Sequence, residues 1–169
     1  MLFSTAMVQA LLDGTKTQTR RISKTPVPKH KITDIIWVRE IYAETCDQYG
    51  TPIIAYKVGK PRLLTVNRGK YELWKETNTN WHIDNYPSCG KWLNSMFMPK
   101  YACRLFLQIT DMKIEPLQNI NGKDAIDEGV DSVDSYKTLW QKINGAGSWG
   151  QNPLVWVYTF KQVERPADF

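Results

Sequence analysis

Apolar residues first recur at helical spacing near the N-terminus. From Leu2 to Asp13 they return every three or four positions, which predicts an amphipathic helix. Ser4 or Thr5 supplies a hydroxyl for the N-cap. Gly14 follows where helices commonly end, because glycine adopts positive φ without strain.

Other segments carry the alternation and the β-branched or aromatic residues that are typical of strands. Tyr101 to Ile114 alternates over the longest distance, and Pro116 follows it. The predicted strands are Ile35–Tyr42, Ile53–Val58, Arg62–Val66 (a hairpin with the preceding strand), Tyr101–Ile114 and Leu154–Val163, and Lys16–Ile22 is predicted as an exposed strand or extended loop.

Two further helices are predicted in the C-terminal half. Gly122 to Glu128 forms a short helix that Gly129 ends, and Ser135 to Ile143 forms a longer one. Its apolar stripe consists of Tyr136, Leu139, Trp140 and Ile143. Strands with three peripheral helices indicate an α+β fold, most simply a small, mostly antiparallel β-barrel with helices at its mouth.

Residues 67–98 show weak periodicity and are rich in Asn and Trp. A segment of this length without regular structure is often a lid or binding loop, so we expect an insertion here. Trp74, Trp81 and Trp92 could form a platform for base stacking or a small hydrophobic cluster that anchors the segment. By contrast, Trp37 and Trp156 are expected in the core together with Trp140.

Composition narrows the function classes. The length of 169 residues fits one domain, 1–169, and the net charge of +5 favours anionic partners. Three cysteines without paired spacing and two histidines argue against a disulfide framework or a metal site, so we expect no cofactor and no metal. Without an apolar stretch of about 20 residues, no membrane partner is expected, and the predicted location is cytoplasmic.

Charge is unevenly distributed, and this points to a candidate site. Residues 14–33 carry six cations and no anion, whereas residues 111–135 carry seven carboxylates. Lys16 is a potential base, Thr17 and Thr19 offer hydroxyls, and Arg20 and Arg21 can bind an anion. The two arginines could equally pair with the acidic helices, and both charged segments could be solvated faces.

Several short motifs follow one another along the chain in a consistent order. They are Leu-Leu-Asp-Gly14, Lys16-Thr-Gln-Thr-Arg-Arg21, Trp37-Val-Arg-Glu40, Met98-Pro-Lys-Tyr-Ala-Cys-Arg104, Ala125-Ile-Asp-Glu-Gly129, Leu139-Trp140, Ile143-Asn-Gly-Ala-Gly-Ser-Trp149, Asn152-Pro153 and Trp156-Val157. In this order they resemble the ASCH domain of the PUA-like superfamily, in its longer form from phages and prophages. Thr33 stands where that family usually has glycine before the aspartate of a turn.

The resemblance implies a PUA-like β-barrel that recognises RNA or modified nucleosides. Small bacterial members of the family remove the acyl group from N4-acetylcytidine with a lysine, a threonine three residues later and a glutamate on a later helix. Those positions fall on Lys16, Thr19 and Glu128, which gives a candidate amidohydrolase. Non-catalytic RNA binding, as a module or phage accessory factor, and ribonuclease activity are the alternatives.

In this interpretation Lys16 takes the proton of Thr19 as its hydroxyl oxygen attacks the acyl carbonyl, and Glu128 orients the lysine and transfers a proton to the leaving amine. Backbone amides or Arg20 would stabilise the oxyanion. The residues expected to bind RNA or substrate are Thr17, Arg20, Arg21, Arg39, Lys100 and Tyr101.

Overall fold

The computed structural model describes residues 1–46, 49, 51–67, 70–76 and 90–167, with backbone alone for 63–67 and 70–76. Two compact units are present. The first comprises Met1–Gln9, Trp37–Phe106 and Glu164–Phe169, and the second Ala10–Ile36 and Leu107–Val163. The expectation of one domain over 1–169 stays a prediction.

The second unit is built on a four-stranded sheet of order β1-β8-β7-β2. Its strands are β1 (Gln18–Ile22), β2 (Ile35–Trp37), β7 (Phe106–Pro116) and β8 (Leu154–Val163), of which β2 and β7 each extend one residue into the first unit. Strand β1 pairs antiparallel with β8, and its register is regular from Gln18 opposite Thr159 to Ile22 opposite Val155.

Three α-helices lie among the described residues: α1 (Thr5–Leu12), α2 (Gly122–Asp127) and α3 (Val133–Asn144). Ser4 caps α1, since its hydroxyl accepts a hydrogen bond from Met7 N at 3.4 Å. Gly14 follows with φ of +74°, as predicted. On α2, Asn121 and Asp124 form a reciprocal capping box, which fixes where this short helix begins.

Helices α2 and α3 share one hydrophobic core with the sheet of the second unit. Tyr136 and Trp140 of α3 are each 4% exposed, whereas Ile143 at the end of the predicted stripe is 59% exposed. The core residues are Leu117, Ile120, Ala125, Tyr136, Trp140, Val155 and Val157, with Val130, Val133 and Trp149 packed against them. Trp140 is thus buried as predicted, whereas Trp37 and Trp156 are only half-buried.

The first unit contains a second sheet of order β3-β4-β5-β6. Its strands are β3 (Tyr42–Cys46), β4 (Pro52–Tyr56), β5 (Arg62–Asn67) and β6 (Lys70–Glu76), and all three pairings are antiparallel. The predicted β4–β5 hairpin is confirmed. Within the predicted irregular segment 67–98, residues 70–76 form a strand instead, and residues 77–89 with Trp81 lie outside the described part.

The predicted strand Ile35–Tyr42 is wrong in extent, because the chain leaves the sheet after Trp37. The next three backbone amides donate to three separate segments instead of one neighbouring strand. Val38 N donates to Leu105 O, Arg39 N to Met1 O and Glu40 N to the sulfur of Met98. Regular strand pairing therefore ends at Trp37, and it begins again at Tyr42 in the other sheet.

The predicted strand Tyr101–Ile114 begins late. Residues Lys100–Ala102 form a 3-10 helix after the extended Pro99, and β7 starts at Phe106. Between these elements Arg104 turns inward to a buried ion pair with Glu40, at 2.8 Å. The segment from Met98 to Tyr101 therefore does not enter a strand as expected.

In the described residues the strands form two four-stranded sheets and no closed barrel. The α+β class with mostly antiparallel strands is confirmed. No described helix is long and apolar enough to cross a membrane.

Candidate functional site

The loop before β1 is fastened to the C-terminal end of α2. Thr17 N donates to Asp127 O at 2.8 Å, and the Thr17 hydroxyl donates to the Asp127 carboxylate at 3.2 Å. On the other side, Lys16 N donates at 3.1 Å to the carbonyl of Ala10, which lies in the last turn of α1. These bonds bring the predicted Lys16 and Glu128 into one site although 112 residues separate them in sequence.

Lys16 is the cation at the centre of this site and is only 3% exposed. Its ammonium donates to Gln18 O at 2.8 Å, to Glu128 O at 2.7 Å and to Glu128 Oε2 at 2.9 Å. Three acceptors match the three protons of an ammonium group. The Lys16–Glu128 ion pair is therefore both buried and saturated with hydrogen bonds, as such pairs need to be.

Burial lowers the pKa of Lys16 below its ordinary value of 10.5. The Glu128 carboxylate acts in the opposite direction through its charge and its hydrogen bond, while the cations Arg21 and Arg20 lower the Lys16 pKa further. A lysine in this environment releases its proton more readily than an exposed one.

Arg20 organises the carboxylates around this pair, and its side chain is fully buried. Its guanidinium contacts Glu115 and Asp124 through Nη2, at 2.9 and 3.0 Å, and Glu128 Oε1 through Nη1 at 3.3 Å. Nη1 also donates to the Gln18 side chain at 2.5 Å. Of the two alternatives for Arg20, the structure shows pairing with the acidic segment; contact with a ligand stays a prediction.

The carboxylate of Glu128 is consequently divided between two cations. Its Oε2 accepts from Lys16 and its Oε1 from Arg20. The alternative of a solvated carboxylate is wrong for this glutamate, since Glu128 is 3% exposed. The expected exposure of Lys16–Ile22 is equally wrong at its start, because Lys16, Gln18, Thr19 and Arg20 are all buried.

Gly129 allows this close approach. Its φ is +86°, and a Cβ at this position would lie 2.9 Å from Ala10 Cβ and 3.2 Å from Lys16 Cβ. Both the backbone conformation and the contact exclude a larger residue without displacement. The glycine that the sequence predicted as the end of α2 thus also determines how closely Lys16 lies against the helix.

Thr19 lies in β1 and is 2% exposed. Because the register of β1 is regular, Thr19 alternates with Gln18 and Arg20 and belongs to the opposite face of the strand. Arg21 follows it, half-buried, within electrostatic range of Glu128 and Tyr136. Direct roles of Thr19 in chemistry and of Arg21 in binding stay predictions.

Tyr136 lies beside this site, although the sequence pattern predicted only that it belongs to the apolar stripe of α3. Burial and the nearby Glu128 raise the pKa of its phenol, while Arg20 and Arg21 lower it. The ring packs against Trp140 and Trp149, with centroids 6.2 and 6.4 Å away. Helical spacing predicted the burial of the ring correctly but gave no information on the charged groups beside its hydroxyl.

The other predicted binding residues, Arg39, Lys100 and Tyr101, belong to the first unit. Arg39 lies over the Trp37 ring, with its Cζ 4.8 Å from the centroid. Lys100 and Tyr101 lie in the 3-10 helix, and the Tyr101 hydroxyl contacts Glu44 Oε1 at 2.5 Å. The expected binding roles of these three residues stay predictions.

Among the described residues of this unit, the buried charges are Glu40 and Arg104. Arg104 binds both oxygens of Glu40 at 2.9 and 2.8 Å and also donates to Val58 O and Lys60 O. Its guanidinium stacks 3.8 Å from the centroid of Tyr56. The bonds to Val58 O and Lys60 O attach this buried pair to the turn between β4 and β5.

Among the described residues, no group of three or more His, Cys, Asp or Glu side chains could hold a metal ion, and Cys46 and Cys103 are free thiols. Comparison with protein-family models, with curated proteins and with solved structures found no match to this chain.

Proposed function

We propose that the chain is a PUA-like ASCH domain that recognises RNA or a modified nucleoside and hydrolyses the amide of an N4-acylated cytidine. The observation that carries this proposal is the buried Lys16–Glu128 ion pair, with an Nζ–Oε2 distance of 2.9 Å. The pair combines the lysine and the glutamate that the amidohydrolase motif requires, in an environment that lowers the lysine pKa.

Proton transfer along the Lys16–Glu128 hydrogen bond would give a neutral amine beside a carboxylic acid. A neutral Lys16 is a base, and a protonated Glu128 is an acid, so one transfer prepares both partners of the reaction. Arg20 holds the other oxygen of Glu128, at 3.3 Å, and so positions the carboxyl group during this exchange.

In the proposed reaction the Thr19 oxygen attacks the acyl carbon while Lys16 takes the hydroxyl proton. The carbon–nitrogen bond then breaks, Glu128 gives its proton to the departing exocyclic amine, and an acyl ester remains on Thr19. Water hydrolyses the ester, which releases the carboxylic acid and restores the hydroxyl. The mechanism requires Thr19 Oγ1 to come within hydrogen-bonding distance of Lys16 Nζ, and because Thr19 lies on the strand face opposite Gln18 and Arg20, the backbone must bend between Lys16 and Thr19 for this contact. Backbone amides supply the oxyanion contacts because Arg20 is engaged by carboxylates.

Non-catalytic RNA recognition is the second candidate, and one observation favours it. All three protons of the Lys16 ammonium already have acceptors, which stabilises the charged form rather than the free base. In that case the pair serves only to fasten β1 to α2, and ligand recognition depends on other groups.

The test is chromatographic detection of cytidine after incubation with N4-acetylcytidine. Lys16→Met, Thr19→Val and Glu128→Gln are each expected to reduce turnover by about 100-fold or more. Lys123→Met is the matched control, because this α2 lysine is 85% exposed and pairs within its helix with Asp127, whose side chain is 25% exposed.

Release of cytidine by the unsubstituted protein and the Lys123→Met control, but not by the three site variants, supports the hydrolase. Circular dichroism should show that the variants remain folded. No cytidine from the unsubstituted protein would reject hydrolysis of this substrate and favour the binding function.

A further inference from the structure

Residues 90–97 of the first unit are fixed along the outer edge of β3. Leu93 forms an antiparallel bridge with Tyr42, in which Leu93 N donates to Tyr42 O at 2.8 Å. Asn94 then caps the 3-10 helix Ser95–Phe97 by accepting from Met96 N. The Tyr42 hydroxyl donates to Phe97 O at 3.1 Å, so the backbone of this short helix is held at both ends.

This fixed backbone presents two large apolar side chains to solvent. Met96 is 59% exposed and Phe97 is 72% exposed. Single exposed apolar residues are common on protein surfaces. Two adjacent ones, on a helix that three hydrogen bonds hold in place, are a more specific feature that an interaction partner would explain.

Two cations contact the segment that carries these apolar side chains. Arg39 donates to Met96 O at 3.1 Å while its guanidinium lies over the Trp37 ring. Lys57 lies over the ring of Trp92, with 4.2 Å between Nζ and the centroid. The two cation–aromatic pairs adjoin the same segment, one at each end. We call the set Trp37, Arg39, Lys57, Trp92, Met96 and Phe97 the aromatic–cation surface.

We propose that the aromatic–cation surface binds single-stranded nucleic acid. Single strands are bound where aromatic rings offer stacking faces to bases and nearby cations contact the phosphates. Phe97 supplies the exposed ring, and Arg39 and Lys57 supply the charges. The overall charge of +5 matches a polyanionic strand and disfavours a second, equally basic copy of this chain as the occupant.

The proposed surface belongs to the first unit, whereas Lys16 and Glu128 belong to the second. It extends the proposed RNA recognition but does not need the hydrolytic step. Turnover of a free nucleoside tests the hydrolase, and affinity for an oligonucleotide tests this surface, so either proposal can fail while the other holds.

The experiment is fluorescence anisotropy of the full chain with labelled oligouridylate and oligothymidylate. Phe97→Ala is expected to weaken binding by roughly 5- to 100-fold, because stacking of one base on an aromatic side chain has that effect. Phe97→Trp should restore affinity. Arg39→Gln should weaken binding and lower the slope of log Kd against log salt concentration by the amount that corresponds to about one phosphate contact.

Val27→Ala is the matched control, because Val27 is 69% exposed and lies in the second unit. Three results would overturn the proposal. They are no binding of either oligonucleotide by the unsubstituted protein at low salt, equal affinity of Phe97→Ala and the unsubstituted protein, or a concentration-dependent dimer that Phe97→Ala dissociates.

Discussion

Arg20→Met removes the cation that three carboxylates share. Glu115 and Asp124 lie at 2.9 and 3.0 Å from Nη2, and Glu128 lies at 3.3 Å from Nη1. The Arg20 side chain is fully buried, so water does not replace the lost contacts. Removing one partner of a buried ion pair costs about 3–5 kcal/mol of the free energy of unfolding. We expect a loss in that range.

Urea unfolding followed by tryptophan fluorescence measures this loss. With a slope of about 2 kcal/mol per M, the midpoint should fall by roughly 1.5–2.5 M. Arg20→Lys keeps the charge but loses the forked geometry, so an intermediate loss is expected and provides a measurable variant if Arg20→Met does not fold.

Lys113→Met is the matched control, because Lys113 also pairs with Glu115 at 2.9 Å but its side chain is 48% exposed. A partly exposed pair of this kind contributes about 1 kcal/mol or less. Equal, small losses of the free energy of unfolding for Arg20→Met and Lys113→Met would show that Arg20 does not organise a buried network.

Three further substitutions test particular features. Gly129→Ala should destabilise the protein by more than Gly14→Ala, since both glycines have positive φ but only Gly129 lies against neighbouring side chains; equal losses in thermal unfolding would show that the contact is unimportant. Thr33→Gly should raise the free energy of unfolding by about 1 kcal/mol, because threonine holds a φ of +77° here, and an unchanged or lower melting temperature would argue against strain. In the unsubstituted protein the free energy of unfolding should rise with pH below about 10.5, because the unfolded lysine keeps its proton up to its ordinary pKa of 10.5 whereas the folded one releases it at a lower pH. Lys16→Met should abolish this rise. Parallel pH profiles of unfolding free energy for the two proteins below 10.5 would contradict the lowered pKa.

The parts of the fold that depend on local chemistry could be predicted from the sequence. Strand Leu154–Val163 has the predicted bounds because its pattern is uninterrupted. Gly14 and Gly129 end their helices as predicted, since positive φ is a local requirement that glycine meets. Thr33 takes the positive φ of the glycine that the resembled family has there, at the expense of strain.

Features that depend on distant partners could not be predicted. The polar residues of Lys16–Arg20 are predicted at the surface from their local pattern. Their burial cannot be predicted locally, because it depends on a carboxylate that lies 112 and 108 positions away in sequence from Lys16 and Arg20. The break after Trp37 is likewise set by acceptors in three separate segments. The exposure of Phe97 cannot be predicted from the sequence, because an apolar residue in an irregular segment has no periodicity from which its face can be inferred.

We propose that Lys16, Thr19 and Glu128 act together as a hydrolytic site. This role is tested most directly by mixing the protein with N4-acetylcytidine, quenching in acid during the first turnovers and mapping acetyl groups by peptide mass spectrometry. We expect an acetyl group on the peptide that carries Thr19, absent in Thr19→Val and in Lys16→Met. An acetyl group on Lys16 instead, or cytidine release without any acetylated peptide, would contradict the assigned nucleophile. The absence of both cytidine and an acetylated peptide would contradict the hydrolase itself.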